Sequence, residues 1–264
     1  MALIVLTSAS GSPGVTTTAL GLALTWPRPV ILVDADPTGA RAIPAGYFGG
    51  AQLPNDHTIV DLAVSHRQGT LAEDLPRMLM PIPGSQVQLL GGPLNHYQAR
   101  ALDSLWEPLG GVFKSLERTG QDVIVDAGRL GLEGYAMKLV TQADLALLVT
   151  RSNLPALVAA SSWATTLRES FTRAGALDGL GVLVVGQGKP YDNREVAKVL
   201  ERPVMASVAW DPASAEVYSF GAKPPRKFES SALTKSLRAA VQSTRASVTR
   251  SRAQLGVAGE RSRL

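Results

Sequence analysis

The chain has 264 residues and a net charge of +4, with 45% hydrophobic and 18% charged residues, and this length is enough to bury a large core in one domain. The absence of cysteine excludes disulfides, a thiol nucleophile and a thiolate metal site, and three widely spaced histidines argue against a histidine metal site. No segment approaches the roughly 18 unbroken apolar residues of a membrane-spanning helix, and the first apolar run is too short for a signal peptide, so we expect a cytoplasmic protein.

Short apolar runs alternate with helical patterns along the chain. Unbroken apolar runs indicate strands buried on both faces, and their alternation with helices predicts an α/β fold with a mostly parallel, doubly wound sheet flanked by helices on both faces. The predicted strands are Leu3–Thr7, Val30–Val33, Val87–Leu90, Val123–Val125, Leu145–Val149, Val182–Val185 and Val204–Val208, and the predicted helices are Thr16–Thr25, Leu102–Glu117, Glu133–Thr141, Pro155–Thr172 and Asn193–Leu200.

The C-terminal part differs from the rest in charge and in pattern. Residues 223–264 contain ten Lys or Arg and two Glu, a charge of +8, whereas residues 1–222 carry −4. We therefore predict one domain over residues 1–222, followed by a basic helix and a tail over residues 223–264 that frays from Gly256 onward. An apolar stripe at steps of three and four predicts the helix. The stripe consists of Leu233, Leu237, Val241, Thr244 and Val248.

The sequence leaves the role of this basic helix open. Its apolar stripe packs on the parent domain, as most such stripes do, or it contacts a membrane surface or a partner. Its basic side chains bind the phosphates of nonspecific DNA or of an anionic membrane, or they are only solvated.

A glycine-rich stretch joins the first predicted strand to the first predicted helix. Gly11 and Gly14 permit the tight path of a phosphate-binding loop, in which backbone N–H groups and the N-terminus of the following helix bind phosphate. We predict that the hydroxyl of Thr16 contributes to a Mg²⁺ site. Val15 stands where the usual G-K-[ST] pattern has its lysine. The predicted nucleotide-binding residues of the loop are Gly11, Ser12, Pro13, Gly14, Val15, Thr16 and Thr17.

Carboxylates follow two other predicted strands. Asp34 and Asp36 end the strand at Val30–Val33, and Asp126 ends the strand at Val123–Val125. Ligands of open α/β sheets bind at the carboxyl ends of the strands, where three carboxylates can surround a Mg²⁺–phosphate group, mostly through water. Any one of them alone would more simply cap a loop. We predict a Mg²⁺ site formed by Asp34, Asp126 and Thr16.

Together these segments resemble the ParA/MinD family of deviant Walker-A ATPases over nearly the whole of residues 1–222. The family loop reads K-G-G-x-G-K-T-T-T-A-L-N-L-A, and residues 10–23 match it without a gap. The resemblance implies a P-loop NTPase fold, ATP and Mg²⁺ as cofactors, a homodimer, a protein partner, and Asp36 as the catalytic residue if the protein is active. The segments similar to the family's other motifs are Ile31–Gly39, Val123–Asp126, Ala143–Thr150, Pro203–Asp211 and Gly221–Pro224.

The main departures from the family pattern remove positive charge from the loop. The two loop lysines of the family are replaced by Ser10 and Val15. Loss of one preorganised charge near the reacting phosphate typically costs about 3–4 kcal/mol, or 10²–10³ in rate. The resemblance therefore implies very slow hydrolysis, unless Arg41, Arg129 or Arg151 replaces the lysines. Further departures are Thr38 in place of Gln, Ala127-Gly128 in place of Pro-Pro, and Gly186-Gln187 in place of Asn-Arg.

Trp210 and Asp211 stand where the resemblance implies an adenine-binding loop. As nucleotide-binding residues, Trp210 would stack near the base and Asp211 would accept a hydrogen bond from its amino group. The alternative is that Trp210 plugs the edge of the sheet.

Three functions are consistent with this sequence. The first is a positioning or scaffold protein with weak or absent ATPase activity that recruits a partner at a pole, membrane or nucleoid; the T-T-T loop is also similar to that of TadZ/CpaE-like proteins of Tad-type pilus systems. The second is an active, Mg-ATP-dependent dimerisation switch with an arginine in place of the lysines. The third, a metabolic enzyme on the same scaffold, is disfavoured because such enzymes need the phosphate lysine.

Overall fold

The structure is a computed structural model that describes residues 2–50, 57–116 and 120–261. Its strands in chain order are β1 (Leu3–Ser8), β2 (Val30–Asp34), β3 (Met80–Pro81), β4 (Val87–Leu90), β5 (Asp122–Arg129), β6 (Leu145–Arg151), β7 (Leu180–Val185) and β8 (Val204–Val208). They form one sheet in the order β3-β4-β2-β5-β1-β6-β7-β8, in which every pair is parallel except β3 with β4. The predicted doubly wound α/β class is confirmed.

Helices cover both faces of the sheet. The helices in chain order are α1 (Val15–Leu24), α2 (Ile59–Gln68), α3 (Leu71–Met78), α4 (His96–Ala99), α5 (Trp106–Ser115), α6 (Met137–Gln142), α7 (Leu154–Arg173), α8 (Asn193–Leu200), α9 (Pro212–Ser219) and α10 (Ala232–Arg261). One face of the sheet packs mainly against α2, α3 and α5 to α8, and the other face packs against α1, α9 and α10. A π-helix at Ile43–Tyr47 lies against α9. Among the described residues, no helix has the length and apolar character needed to cross a bilayer.

The predicted strands are all present, and β5 and β6 extend beyond their apolar runs. Two helices begin later than predicted. The chain before α5 forms a short 3₁₀ turn at Arg100–Leu102, and the chain before α6 turns to place Tyr135 in the core. Glu117, the predicted end of α5, lies outside the described residues. The sequence did not reveal β3, α2, α3, α4 or α9. Pro76 interrupts the helical pattern of α3, and β3 and α4 have only two and four residues.

The apolar stripe of α10 is buried. Leu233, Leu237, Val241, Thr244 and Val248 are each less than 7% exposed and lie against α1 and β8. The alternative in which this stripe contacts a membrane or a partner is therefore wrong, because the domain itself already covers it. The helix continues to residue 261, and residues 262–264 lie outside the described residues, so the expected fraying from residue 256 stays a prediction.

Asp122, at the start of β5, accepts hydrogen bonds that connect several segments near the amino ends of the strands. Its carboxylate is fully buried and accepts hydrogen bonds from Ala2 N (2.6 Å), Trp26 Nε1 (2.7 Å) and Arg28 Nη2 (2.6 Å). A buried carboxylate is tolerated when donors satisfy its oxygens in this way. The arrangement fixes β1 and the end of α1 against β5, and thereby the strand that leads into the phosphate-loop segment.

Candidate functional site

The loop between β1 and α1 has the backbone geometry of an anion-binding turn. Gly11, Ser12 and Gly14 have φ angles of 74°, 44° and 101°, and Gly14 is the N-cap of α1 without a side-chain cap. The first hydrogen bond into α1 runs from Thr18 N to Gly14 O (2.9 Å), so the N–H groups of residues 15–17 precede it. Such orphan donors at the positive end of a helix dipole bind anions. Glycine is required here because its positive φ angles are strained for other residues.

Val15 differs from the other loop residues in its side chain. That side chain is 7% exposed and belongs to the apolar cluster beneath α1. The site therefore contains a buried isopropyl group at the position where a phosphate loop carries its ammonium group, and Val15 can offer a ligand only its backbone N–H.

The three predicted carboxylates lie together at the carboxyl ends of β2 and β5. Asp34 and Asp126 are register partners on these adjacent strands and are 5% and 1% exposed. Asp34 Oδ1 accepts a hydrogen bond from Asp36 N (3.2 Å), and Asp126 Oδ1 accepts one from Gly128 N (3.0 Å). The Thr16 hydroxyl is close enough to the Asp126 carboxylate to lower its pKa. The fold thus brings Asp34, Asp36, Asp126 and Thr16 to one place, as the sequence predicted.

Burial and mutual repulsion shift the titration of this cluster. Burial, followed by the charges of Asp126 and Asp36, raises the pKa of Asp34 to about 8, which the nearby Arg41 partly opposes. Burial also raises the pKa of Asp126 to about 6, against the lowering effect of the Thr16 hydroxyl. Two buried carboxylates with raised pKa values bind a proton or a cation readily.

The carboxylates do not form a direct three-ligand metal site. In the described parts of the chain, no three Asp, Glu or His side chains converge closely enough to hold a metal ion. A Mg²⁺ ion would instead be held by one or two groups, such as Asp126 and Thr16, with water in its other positions, which is the usual coordination of this ion in nucleotide sites. The residues present fit that mode.

A buried hydrogen-bond chain supports the segment that follows β5. The Tyr135 hydroxyl donates to Thr7 Oγ1 (2.7 Å), and Thr7 Oγ1 donates to Gly128 O (3.1 Å). A Cβ atom at Gly128 would lie 2.5 Å from Cγ of Asp36, so the backbone approaches that carboxylate closely. Burial raises the pKa of the Tyr135 hydroxyl, which stays protonated as a donor. This chain of hydrogen bonds could not be predicted, because nothing in the sequence pairs residue 135 with residue 7.

The loop and Asp36 border an open cleft of about 870 Å³ at the carboxyl edge of the sheet. This volume lies within the range of about 300–1,000 Å³ that is typical of small-molecule sites. Its walls contain residues 12–18, Asp36, Arg129, Arg151, Trp210, Asp211 and Phe220, among others.

Trp210 lines the cleft and does not plug the sheet edge, so the alternative interpretation of Trp210 is wrong. Its side chain is 42% exposed, and the Arg151 guanidinium carbon lies 4.3 Å from its ring centroid. Asp211 has a structural role that the sequence did not reveal. Its carboxylate accepts hydrogen bonds from Ser214 N (3.2 Å) at the start of α9 and from Leu233 N (3.5 Å) at the start of α10. The adenine contacts of both residues stay predictions.

The three candidate arginines occupy different places. Arg41 has a φ angle of 46° and acts electrostatically on Asp34, whereas Arg129 and Arg151 line the cleft. Arg151 Nη2 also donates to Ser12 O in the loop, at 3.4 Å.

No protein-family model and no curated protein matches the chain, but solved structures do. MinD from Pyrococcus furiosus is 22% identical over 92% of this chain and 98% of its own, with a TM-score of 0.66. A ParA family ATPase from Chlorobium tepidum is 16% identical over 92% and 99%, with a TM-score of 0.67. The chain has the fold of the MinD and ParA ATPases.

This likeness confirms the predicted P-loop NTPase fold. The ATP complex of a McdA variant from Cyanothece is also similar, at 17% identity over 92% of this chain and 96% of that chain, with a TM-score of 0.65. MinD from Pyrococcus horikoshii, complexed with Mg-ADP, is 21% identical over 91% and 95%, with a TM-score of 0.66. At these identities the MinD/ParA likeness is one of fold, and the similarity to TadZ/CpaE-like proteins stays a prediction.

Proposed function

We propose that this protein is a MinD/ParA-like positioning or scaffold protein that binds Mg-ATP weakly, hydrolyses it very slowly or not at all, and recruits a protein partner. One observation carries the proposal: a phosphate loop, a carboxylate pair and a nucleotide-sized cleft are all present, but the loop has a buried valine where the catalytic lysine would lie. Candidate partners are a Tad-type pilus or secretion machinery and a partition machinery. A MinC:MinD complex from Aquifex aeolicus is among the structures of similar fold.

The loop would hold the phosphates of ATP through the backbone N–H groups of residues 11, 12 and 14–17. A bound Mg²⁺ ion would neutralise part of the phosphate charge, and Thr16 and Asp126, with Asp34 behind them, would hold the ion partly through water. The Asp36 and Asp126 carboxylates would repel ATP that carries no metal, because no loop lysine offsets their charge. Nucleotide binding should therefore depend strongly on Mg²⁺.

A dimer is part of this proposal. Large apolar side chains are exposed on segments that follow the carboxyl ends of β4, β6 and β8, and two of them, Trp210 and Phe220, line the cleft. Exposed apolar groups clustered on one face mark contact surfaces. We infer that this face joins two copies of the chain. The side chains are Leu94, Tyr97, Leu154, Val158, Trp210 and Phe220.

Turnover separates a scaffold from an active switch. We expect Mg²⁺-dependent ATP hydrolysis by the wild type to be indistinguishable from that of Asp36→Ala, because both loop lysines are missing and each missing charge costs about 10²–10³ in rate. Phosphate release is measured with and without a candidate partner, and the mass of the same samples is measured by light scattering. Turnover that Asp36→Ala abolishes would establish the switch instead. A monomer under all conditions would contradict the dimer.

The exposed side of α10 is basic. Lys235, Arg245 and Arg250 lie on this side, and the sequence has no Asp or Glu between residues 232 and 252. Arg238 is also exposed but pairs with Glu229. Because the apolar stripe of α10 is buried, this surface offers charge without the exposed apolar stripe that an interfacial membrane helix needs. We therefore propose that α10 binds nonspecific duplex DNA and not an anionic membrane.

We expect the double variant Lys235→Gln/Arg245→Gln to weaken DNA binding and to reduce the slope of log K against log salt by about 2, since each lost phosphate contact removes about 0.9. The matched control, Arg67→Gln/Arg173→Gln, removes two exposed charges from α2 and α7 on the opposite face of the sheet and should bind as the wild type does. Fluorescence anisotropy with a random duplex at several salt concentrations measures both. Cosedimentation with anionic vesicles in place of DNA binding would contradict the choice of DNA.

A further inference from the structure

We propose that Arg151 supplies one of the two cations that the phosphate loop lacks and binds the phosphates of the nucleotide directly. This inference rests on the proposed nucleotide binding and identifies the residue that makes it possible. Arg151 is the last residue of β6, the strand that pairs with β1 immediately before the loop. Its side chain lines the same cleft as residues 12–18.

Contacts on two sides hold the Arg151 side chain at the loop. Its Nη2 atom lies 3.4 Å from Ser12 O, and its guanidinium carbon lies 4.3 Å from the centroid of the Trp210 ring. A cation is attracted to the face of an indole ring, so this cation–π interaction with Trp210 keeps the guanidinium beside the loop. The charge is therefore positioned before any ligand arrives.

The hydrogen-bonding capacity of Arg151 is largely unused. Its Nε atom is buried without a hydrogen-bond partner, and none of the ion pairs in the described part of the chain includes this residue. The contact with Ser12 O is long for a hydrogen bond. A desolvated guanidinium donor without an acceptor is unfavourable, whereas phosphate oxygens match its planar fork and satisfy two donors at once. The ligand that this geometry fits is a polyphosphate anion.

The other two candidate arginines lack these features. Arg129 lines the cleft but is exposed, and among the described residues no aromatic ring lies against its guanidinium. Arg41 offsets the negative charge of Asp34. Arg151 alone of the three contacts the loop backbone within the described residues.

Calorimetry of the full chain with ATP, ADP and AMP in Mg²⁺ tests the inference. We expect Arg151→Ala to weaken ATP binding by about 10- to 100-fold, the usual effect of losing a hydrogen-bonded charge. The loss should be smaller for AMP, which has one phosphate. Arg151→Lys should recover part of the ATP affinity, and Arg173→Ala, at the far end of α7, should bind ATP as the wild type does. Thermal melting without nucleotide shows that each variant is folded.

The outcomes separate this inference from the proposed function. Wild-type binding that Arg151→Ala leaves unchanged would overturn the role of Arg151 and leave nucleotide binding intact. A loss in Arg129→Ala as large as that in Arg151→Ala would overturn the assignment to a single arginine. An equal loss of ATP and AMP affinity would mean that Arg151 does not contact the phosphates that ATP has and AMP lacks. Failure of the wild type to bind any nucleotide would overturn both.

Discussion

Asp122→Ala is expected to lower the free energy of unfolding by about 3–5 kcal/mol, the usual effect of removing one partner from a buried charged hydrogen-bond network. The wild-type carboxylate is fully buried and satisfies Ala2 N, Trp26 Nε1 and Arg28 Nη2. Alanine would leave these donors without their acceptor in a region that water cannot easily reach. Since a typical domain is stable by only about 5–15 kcal/mol, this variant should be close to unfolded at growth temperature.

Urea unfolding measures this effect, and two further variants interpret it. Asp122→Asn keeps an acceptor oxygen and should be destabilised less. Arg28→Ala should be destabilised less still, because the Arg28 side chain is 42% exposed and its loss leaves the carboxylate with the donors Ala2 N and Trp26 Nε1. An Asp122→Ala variant that is as stable as the wild type would show that the hydrogen bonds at this edge contribute nothing to the fold.

The second large effect is a loss of stability with rising pH in metal-free protein. The pKa of Asp34 is about 8 in the folded protein and 3.8 in an unperturbed carboxyl, and that of Asp126 is about 6. At a pH between 3.8 and the folded pKa of each carboxyl, the folded state still holds a proton that the unfolded state has released. Stability therefore falls by about 1.4 kcal/mol per pH unit for each such group, from about pH 4 up to the folded pKa, and then levels off.

Asp34→Asn should remove most of this pH dependence. At pH 8 the variant should be more stable than the wild type by on the order of 2–5 kcal/mol, because the amide has no charge to desolvate. Mg²⁺ should stabilise the wild type at pH 8 more than it stabilises the variant. Urea unfolding at pH 5, 6.5 and 8, in chelator and in Mg²⁺, measures these differences. Wild-type stability that rises with pH would show that the carboxylates are ionised in the folded state without penalty.

The sequence predicted the elements that depend on local pattern. The buried strands could be identified from unbroken apolar runs, and Gly11 and Gly14 could be assigned to a turn because few other residues adopt their φ angles. Asp34 and Asp126 could be placed together because the carboxyl ends of parallel strands meet at one edge. These inferences need only short-range information and the general rules of α/β sheets.

What the sequence could not reveal depends on pairings between distant residues. Tyr135 and Thr7 meet only after β1 and β5 are paired, and the Asp211 carboxylate joins α9 to α10 across 22 residues. The choice among Arg41, Arg129 and Arg151 likewise required the positions of their side chains. A helical stripe on α10 was visible in the sequence, but only the fold showed that α1 and β8 already cover it.

The most direct test of the account is calorimetric titration of the full wild-type chain with ATP, in the presence and absence of Mg²⁺. We expect micromolar to submillimolar binding that requires Mg²⁺, because the loop retains its N–H donors while the Asp36 and Asp126 carboxylates beside it repel the metal-free nucleotide. No binding at millimolar ATP in Mg²⁺ would contradict it and would mean that the cleft no longer holds a nucleotide. Binding of equal strength without Mg²⁺ would contradict the role given to Asp34 and Asp126.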